Sequence, residues 1–143
     1  MIAVAFQIDT GSEFGQRVAR RLESELIGWL TTVSPAGVPV PSPIWFLWDG
    51  ESFLIYSKPD VPKLRNIAAN PNVSLHLDGD GDGGDIIIVT GTAAVSQDPP
   101  AHEVPPYIAK YAHRIARYSW TNEQFAADYP VPLRVTPARL RGH

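Results

Sequence analysis

The chain has 143 residues and a formal net charge of −3, with 44% hydrophobic and 19% charged residues. This composition predicts one globular domain over residues 1–143, not a disordered chain. The acidic balance disfavours nucleic-acid binding, which needs a large basic surface. The absence of cysteine excludes disulfides, thiolate metal sites and a cysteine nucleophile. Since no apolar run reaches the roughly 20 residues that span a bilayer, we expect a cytoplasmic protein without a membrane partner.

The N-terminal part predicts an arm and then a helix. Residues 1–11 are expected to form a loose arm. Thr10 and Glu13 have the spacing of a capping box, which satisfies the first free N–H groups of a helix. Apolar residues then recur every fourth position, which predicts an amphipathic helix of about three turns. These residues are Phe14, Val18, Leu22 and Leu26.

Three strands are predicted next. Residues 27–34 are rich in β-forming side chains, and a Ser-Pro-Ala-Gly turn leads into a long extended run over 38–48. An Asp-Gly pair, typical of a tight hairpin, separates this run from a strand over 53–57.

A short helix and two further strands follow. The helix is predicted from Pro62 to about residue 70, with Asp60 as its N-cap, because proline is favoured in the first turn. Residues 73–77 alternate between apolar and polar side chains, as in a half-buried strand. An acidic glycine-rich loop over 79–84 leads to a strand over 86–95.

The C-terminal part predicts helices and a last strand. Helical spacing runs over 107–118, and Thr121 with Gln124 forms a second capping-box pattern before a short helix. A strand over 131–141 ends the chain. Six strands joined mostly by hairpin-length loops favour a mainly β fold, an antiparallel barrel with peripheral helices.

Prolines alternate along one predicted strand, at Pro39, Pro41 and Pro43. In an antiparallel strand the N–H groups of alternate residues point to the same side, so three donors are missing along one edge. That edge cannot carry a full ladder of hydrogen bonds. It is either a protected edge strand or the margin against which a planar ligand or a partner subunit lies, and the prolines do not distinguish these.

Cations gather where a strand meets the predicted helix start. Lys58, Lys63 and Arg65 surround Asp60 there. Since helix N-termini attract anions, the segment is either a phosphate-binding site or a solvated helix face. It matches neither the Walker pattern nor the glycine-rich dinucleotide fingerprint.

No metal site and no catalytic side chain is predicted. The four histidines lack metal-ligand spacing, and the acidic loop lacks the glutamate of a calcium loop. There is no serine nucleophile elbow. If the protein is an enzyme, a bound cofactor is therefore expected to supply the difficult chemistry.

Several segments, taken in order, carry a family resemblance over roughly residues 14–142. They are Thr31–Pro39, Ser42–Trp45, Ser57–Lys58, Lys63–Ile67 and Asn70–Leu75. Together they resemble the pyridoxamine 5′-phosphate oxidase-like split β-barrel superfamily. Residues 77–80, 84–85 and 132–142 are similar to one subfamily of its flavin/deazaflavin oxidoreductase B group, the class that uses coenzyme F-420.

The resemblance implies a six-stranded split barrel and a homodimer with cofactor sites at the subunit interface. It implies that the cofactor phosphate is bound by Ser57, Lys58, Lys63, Arg65 and Asn66. It also implies that the flat ring lies along Ser42, Pro43, Ile44 and Trp45. The expected activity is hydride transfer from coenzyme F-420, or alternatively FMN, to an electron-poor small-molecule substrate.

One related activity is not expected, and two alternatives to an oxidoreductase remain. The C-terminal strand lacks the basic and histidine pattern of true pyridoxamine phosphate oxidases, so synthesis of vitamin B6 is not expected. A non-catalytic carrier of a cofactor or tetrapyrrole would bind tightly without turnover. A purely structural dimer, whose proline edge meets its partner, would bind no ligand.

Overall fold

Seven antiparallel strands form one curled sheet in the computed structural model, which describes residues 6–143. The strands are β1 Gly28–Val33, β2 Pro39–Ile44, β3 Leu47–Trp48, β4 Phe53–Ser57, β5 Asn72–His76, β6 Ile87–Val95 and β7 Val131–Gly142. Their order across the sheet is β2-β1-β5-β6-β7-β4-β3. The predicted mainly β split barrel is confirmed, with seven strands instead of six.

Helices flank this sheet. They are α1 Glu13–Ser24, α2 Pro62–Ala69, α3 Pro105–Arg117 and α4 Asn122–Asp128, with a 3-10 turn at Ala101–Glu103. The capping box of Thr121 and Gln124 at the start of α4 is confirmed.

The N-terminus of α1 differs from the prediction. Ser12 is the N-cap, and its Oγ accepts a hydrogen bond from the Gly15 N–H at 2.9 Å. The predicted capping by Thr10 and Glu13 is therefore wrong. Of the predicted loose arm, residues 1–5 lie outside the described residues, and residues 6–9 have no regular secondary structure.

The extended run predicted over 38–48 is two strands, because strand pairing is interrupted at Trp45 and Phe46. The Phe46 N–H donates to the Tyr111 hydroxyl at 2.8 Å, and Lys110 Nζ donates to the Phe46 carbonyl at 2.8 Å. Both backbone polar groups of this buried residue are thus satisfied by side chains of α3. A neighbouring strand is not needed to satisfy them, so β2 ends before this point and β3 begins after it.

The proline strand β2 lies at one edge of the sheet. The Ser34 N–H donates to the Val38 carbonyl at 2.8 Å, which makes this the first hydrogen-bonded pair of the β1–β2 hairpin. Pairs alternate from there, so the prolines fall at non-hydrogen-bonded positions and their missing donors face outward. They lie opposite Val33, Thr31 and Trp29 of β1. Within the described residues, no strand pairs with this outer edge.

Strand β4 lies between two hydrophobic clusters, and all five of its residues are buried. Phe53 and Ile55 belong to the larger cluster beneath the sheet. Leu54 and Tyr56 belong to the cluster that packs against α3 and α4. The end of β4 therefore lies between the sheet and the helices, where a cavity opens.

Candidate functional site

A cavity of about 520 Å³ lies where β2, the end of β4, the start of α2 and the helices α3 and α4 meet. Of the nine predicted site residues, the cavity brings together six. They are Pro43, Ile44, Trp45, Ser57, Lys58 and Lys63. The proline strand and the basic strand-to-helix junction therefore both contribute residues to the same cavity.

The other three predicted residues, Ser42, Arg65 and Asn66, are not part of the cavity lining. Asn66 is only 5% exposed, and its Nδ2 donates to Thr32 Oγ1 at 3.0 Å, which ties α2 to β1. Arg65 is exposed and donates to the Asp60 carbonyl at 3.0 Å. In this structure Asn66 therefore connects α2 to β1, and Arg65 bonds the backbone just before α2.

The cavity has a cationic end at the start of α2. Lys58 follows the buried Ser57, and Lys63 lies in the first turn of the helix. The N-cap is Val61, which gives no side-chain hydrogen bond, so the predicted capping by Asp60 is wrong. The backbone of Asp60 instead adopts a left-handed conformation with φ of 59°. Helix-terminal N–H groups without a side-chain cap leave room for an anion.

Among residues 6–143, no acidic side chain lines the cavity to neutralise these cations. Neither Lys58 nor Lys63 forms a salt bridge with any residue from 6 to 143. Burial lowers the pKa of Lys63, because a half-buried ammonium group without a counter-ion is poorly solvated. A bound anion would therefore stabilise the charged form of this lysine.

Aromatic side chains form the rest of the wall. The Trp45 ring stacks on Tyr111 with centroids 4.8 Å apart, and on Phe125 at 5.3 Å. Phe125 also stacks on Tyr129 at 4.9 Å. Lys58 Nζ lies 5.5 Å from the centroid of the Tyr129 ring, so the cationic end adjoins the aromatic wall. Such a wall is suited to a flat, conjugated ligand.

A protein-family model described as pyridoxamine 5′-phosphate oxidase matches residues 14–143. This chain belongs to that family. Among curated proteins, none matches the chain closely enough to count as a relative.

Three solved structures show what this chain resembles. An F-420 reductase is 30% identical with a TM-score of 0.62, over 85% of this chain and 94% of that one. The haem storage protein HutZ of Vibrio cholerae is 14% identical with a TM-score of 0.62, over 96% and 95% of the two chains. An FAD-binding protein of Mesorhizobium loti is 17% identical with a TM-score of 0.60, over 87% and 88%. The last two likenesses concern the fold alone.

Most of the aromatic wall was not predicted from the sequence. Tyr107, Tyr118, Trp120, Phe125 and Tyr129 line the cavity, although none was predicted to bind a ligand. The available signal was the density of aromatic residues in the helical segment between 107 and 129. Helical spacing alone assigns such residues to a core, and only the packing of α3 and α4 shows that they surround a cavity.

Residues 6–143 contain neither a membrane-spanning helix nor a cluster of metal ligands. No helix there is both long and apolar enough to cross a bilayer. Nor do His, Asp and Glu side chains gather there in groups of three or more that could hold a metal ion.

Proposed function

We propose that this protein is an oxidoreductase that binds the deazaflavin coenzyme F-420 and serves hydride transfer to an electron-poor small molecule. One observation carries the proposal. The cavity has two lysines without acidic partners among the described residues, both at an uncapped helix start, and its remaining walls are largely aromatic. This donor set fits a ligand with a phosphate at one end and a flat ring at the other.

Each part of the cavity has a role in binding such a ligand. Lys58, Lys63 and the first N–H groups of α2 would hold the phosphate through charge-assisted hydrogen bonds. Pro43 and Ile44 would lie along the ring, and Trp45 would fix its tilt, because Trp45 is itself held by stacking on Tyr111. The aromatic wall would exclude water from the reacting face. The cofactor supplies the redox chemistry when bound.

Coenzyme F-420 is proposed over FMN and over a tetrapyrrole for different reasons. The F-420 reductase is 30% identical over 85% of this chain, which supports the deazaflavin. FMN also combines one phosphate with a flat ring, so it remains the alternative that the experiment must separate. A tetrapyrrole carrier is less well supported, since within residues 6–143 no histidine, cysteine or methionine lines the cavity to bind haem iron.

We also propose that the protein is a homodimer with its cofactor sites at the subunit interface. Val38, which precedes β2, and Val40, within β2, are exposed by 54% and 37%. Exposed apolar side chains on an edge strand that cannot pair as a sheet favour side-chain packing against a second copy.

Fluorescence and thermal-shift titration with coenzyme F-420 and with FMN tests the cofactor proposal. A bound cofactor at about 100 times its Kd should stabilise the fold by about 2.7 kcal/mol. Lys63→Ala should weaken binding about tenfold or more, since one charge-assisted hydrogen bond contributes about 1.5–3 kcal/mol.

Arg20→Ala is the matched control, because it removes the same charge from an exposed position on α1. It should leave the affinity unchanged. Equal affinity of the Lys63→Ala and wild-type proteins would contradict the phosphate assignment. Tighter binding of FMN would replace the deazaflavin in the proposal, and tight binding without turnover of any oxidant would indicate a carrier.

A further inference from the structure

Tyr107 carries a buried hydroxyl group for which no described residue provides a hydrogen bond. The residue is 0% exposed, and its hydroxyl oxygen has no partner within residues 6–143. Buried polar groups in folded proteins nearly always have a partner, because leaving one unpaired costs free energy of desolvation. A buried hydroxyl without a partner therefore calls for a physical explanation.

The two tyrosines that pack against Tyr107 both have hydrogen-bonded hydroxyl groups. The Tyr56 hydroxyl donates to the Pro99 carbonyl at 2.5 Å. The Tyr111 hydroxyl accepts from the Phe46 N–H at 2.8 Å and lies 2.8 Å from the Leu26 carbonyl, to which it can donate. Tyr107 is thus the exception among three buried tyrosines that pack together.

The position of Tyr107 indicates where its partner would come from. Tyr107 lines the cavity, in the first turn of α3. Its ring centroid lies 5.0 Å from that of Tyr56 and 6.1 Å from that of Phe125, and both of those residues also line the cavity. Because Tyr107 lines the cavity, a ligand bound there is the candidate partner of its hydroxyl group.

The hydroxyl is suited to donate, not to ionise. Burial raises the pKa of Tyr107 well above 10, and the tyrosines around it, Tyr111, Tyr56 and Tyr129, raise it further. The group therefore keeps its proton throughout the physiological range. Its complement is a hydrogen-bond acceptor on the ligand.

We propose that the Tyr107 hydroxyl donates a hydrogen bond to a carbonyl oxygen or ring nitrogen of the flat ligand bound in this cavity. The inference rests on the proposed function, since it assigns a residue to the same site. It adds a directional polar contact to a wall that is otherwise aromatic. Tyr107 thereby becomes a binding residue that sets the orientation of the ring.

Two phenylalanine variants test this assignment, because each removes one hydroxyl and keeps the ring. Tyr107→Phe removes a hydroxyl without a protein partner, so the Tm of the ligand-free protein should stay unchanged or rise. Tyr111→Phe removes a hydroxyl that is hydrogen-bonded within the protein, so the ligand-free Tm should fall by about 3–5 °C.

Titration of the same variants with coenzyme F-420 and with FMN completes the test. Tyr107→Phe should weaken the binding of the cofactor that the wild-type protein prefers by about three- to tenfold. The loss of affinity together with an undiminished ligand-free Tm is the expected signature, since a purely structural tyrosine would lower the Tm.

Each other result would overturn the assignment. If Tyr107→Phe binds the cofactor as tightly as the wild-type protein does, the hydroxyl does not contact the ligand and the proposed function stands. If its ligand-free Tm falls as far as that of Tyr111→Phe, the hydroxyl has a partner inside the protein. If the wild-type protein binds neither cofactor, the proposed function fails and this assignment fails with it.

Discussion

Lys63 illustrates how a single residue links folding to binding. Its side chain enters a half-buried position at the start of α2 without an acidic partner among the described residues, and burial lowers its pKa. The ligand-free protein therefore bears the cost of a poorly solvated charge. An anionic ligand would remove that cost, so binding should favour the protonated form of Lys63 and raise its pKa.

The pH dependence of cofactor binding should follow from Lys63. Affinity should be highest while Lys63 is protonated and fall as pH rises through its pKa. Because burial places that pKa below 10.5, the fall should begin at a lower pH than for an exposed lysine. Titrations with coenzyme F-420 or FMN at a series of pH values measure how the affinity changes with pH.

Lys63→Arg is the control for this effect, since arginine stays charged throughout the range. The loss of affinity at high pH should become smaller in this variant. An unchanged pH profile would assign the titration to another group, such as Lys110, whose pKa burial lowers to about 8.

At the scale of elements, Arg134 joins three separate parts of the sheet. From β7, its guanidinium donates to Asp98, beyond the end of β6, at 2.9 and 2.7 Å. It also donates to Asp49 in the β3–β4 hairpin at 2.7 Å. These charge-assisted bonds, partly buried at Asp98 and exposed at Asp49, connect the hairpin to β7.

Arg134→Met should destabilise the fold by about 1–3 kcal/mol, because it removes charge-assisted bonds and leaves Asp49 and Asp98 without their cationic partner. The hydrogen bond from Arg134 lowers the pKa of Asp98. A carboxylate with a lowered pKa contributes stability that is present above the unfolded-state pKa and is lost as pH falls through the folded-state pKa. Urea unfolding between neutral and acidic pH should therefore show a weaker acid dependence in the variant.

Arg139→Met is the matched control, because Arg139 lies exposed on the same strand and forms no salt bridge with the described residues. It should change the free energy of unfolding by less than about 0.5 kcal/mol. Equal effects of the two substitutions would show that the Arg134 network contributes nothing specific.

At the scale of the whole molecule, the sheet is open on the side of β2, where alternate prolines remove outward-facing donors. Another strand cannot extend the sheet there by a regular ladder. Association through side chains remains available, and the exposed Val38 and Val40 supply apolar surface for it.

Light scattering coupled to size-exclusion chromatography should give twice the 15.7 kDa mass of the chain at micromolar concentration. Titration should give one cofactor per chain, hence two per dimer. Val40→Lys should shift the equilibrium towards the monomer, because it places a charge on the exposed edge. A wild-type monomer with full cofactor affinity would contradict a site shared between subunits.

The sequence by itself determined the features that depend on local pattern. Alternating prolines identify β2 as an edge strand, since a missing N–H is a property of the residue. Hydrophobic period and turn residues locate most strands and helices. Of the basic junction predicted from Ser57 to Asn66 as a phosphate site, Ser57, Lys58 and Lys63 line one end of the cavity.

Only the tertiary structure decided how distant side chains complete these elements. Strand pairing is interrupted at Phe46, where Lys110 and Tyr111, more than 60 residues later, form hydrogen bonds with its backbone. Asn66 points to Thr32 and not into the cavity for a similar reason. Hydrogen bonds between distant residues depend on where the whole fold brings each donor and acceptor, and no local period encodes that position. The aromatic wall arises in the same way, from the docking of α3 and α4 against β4.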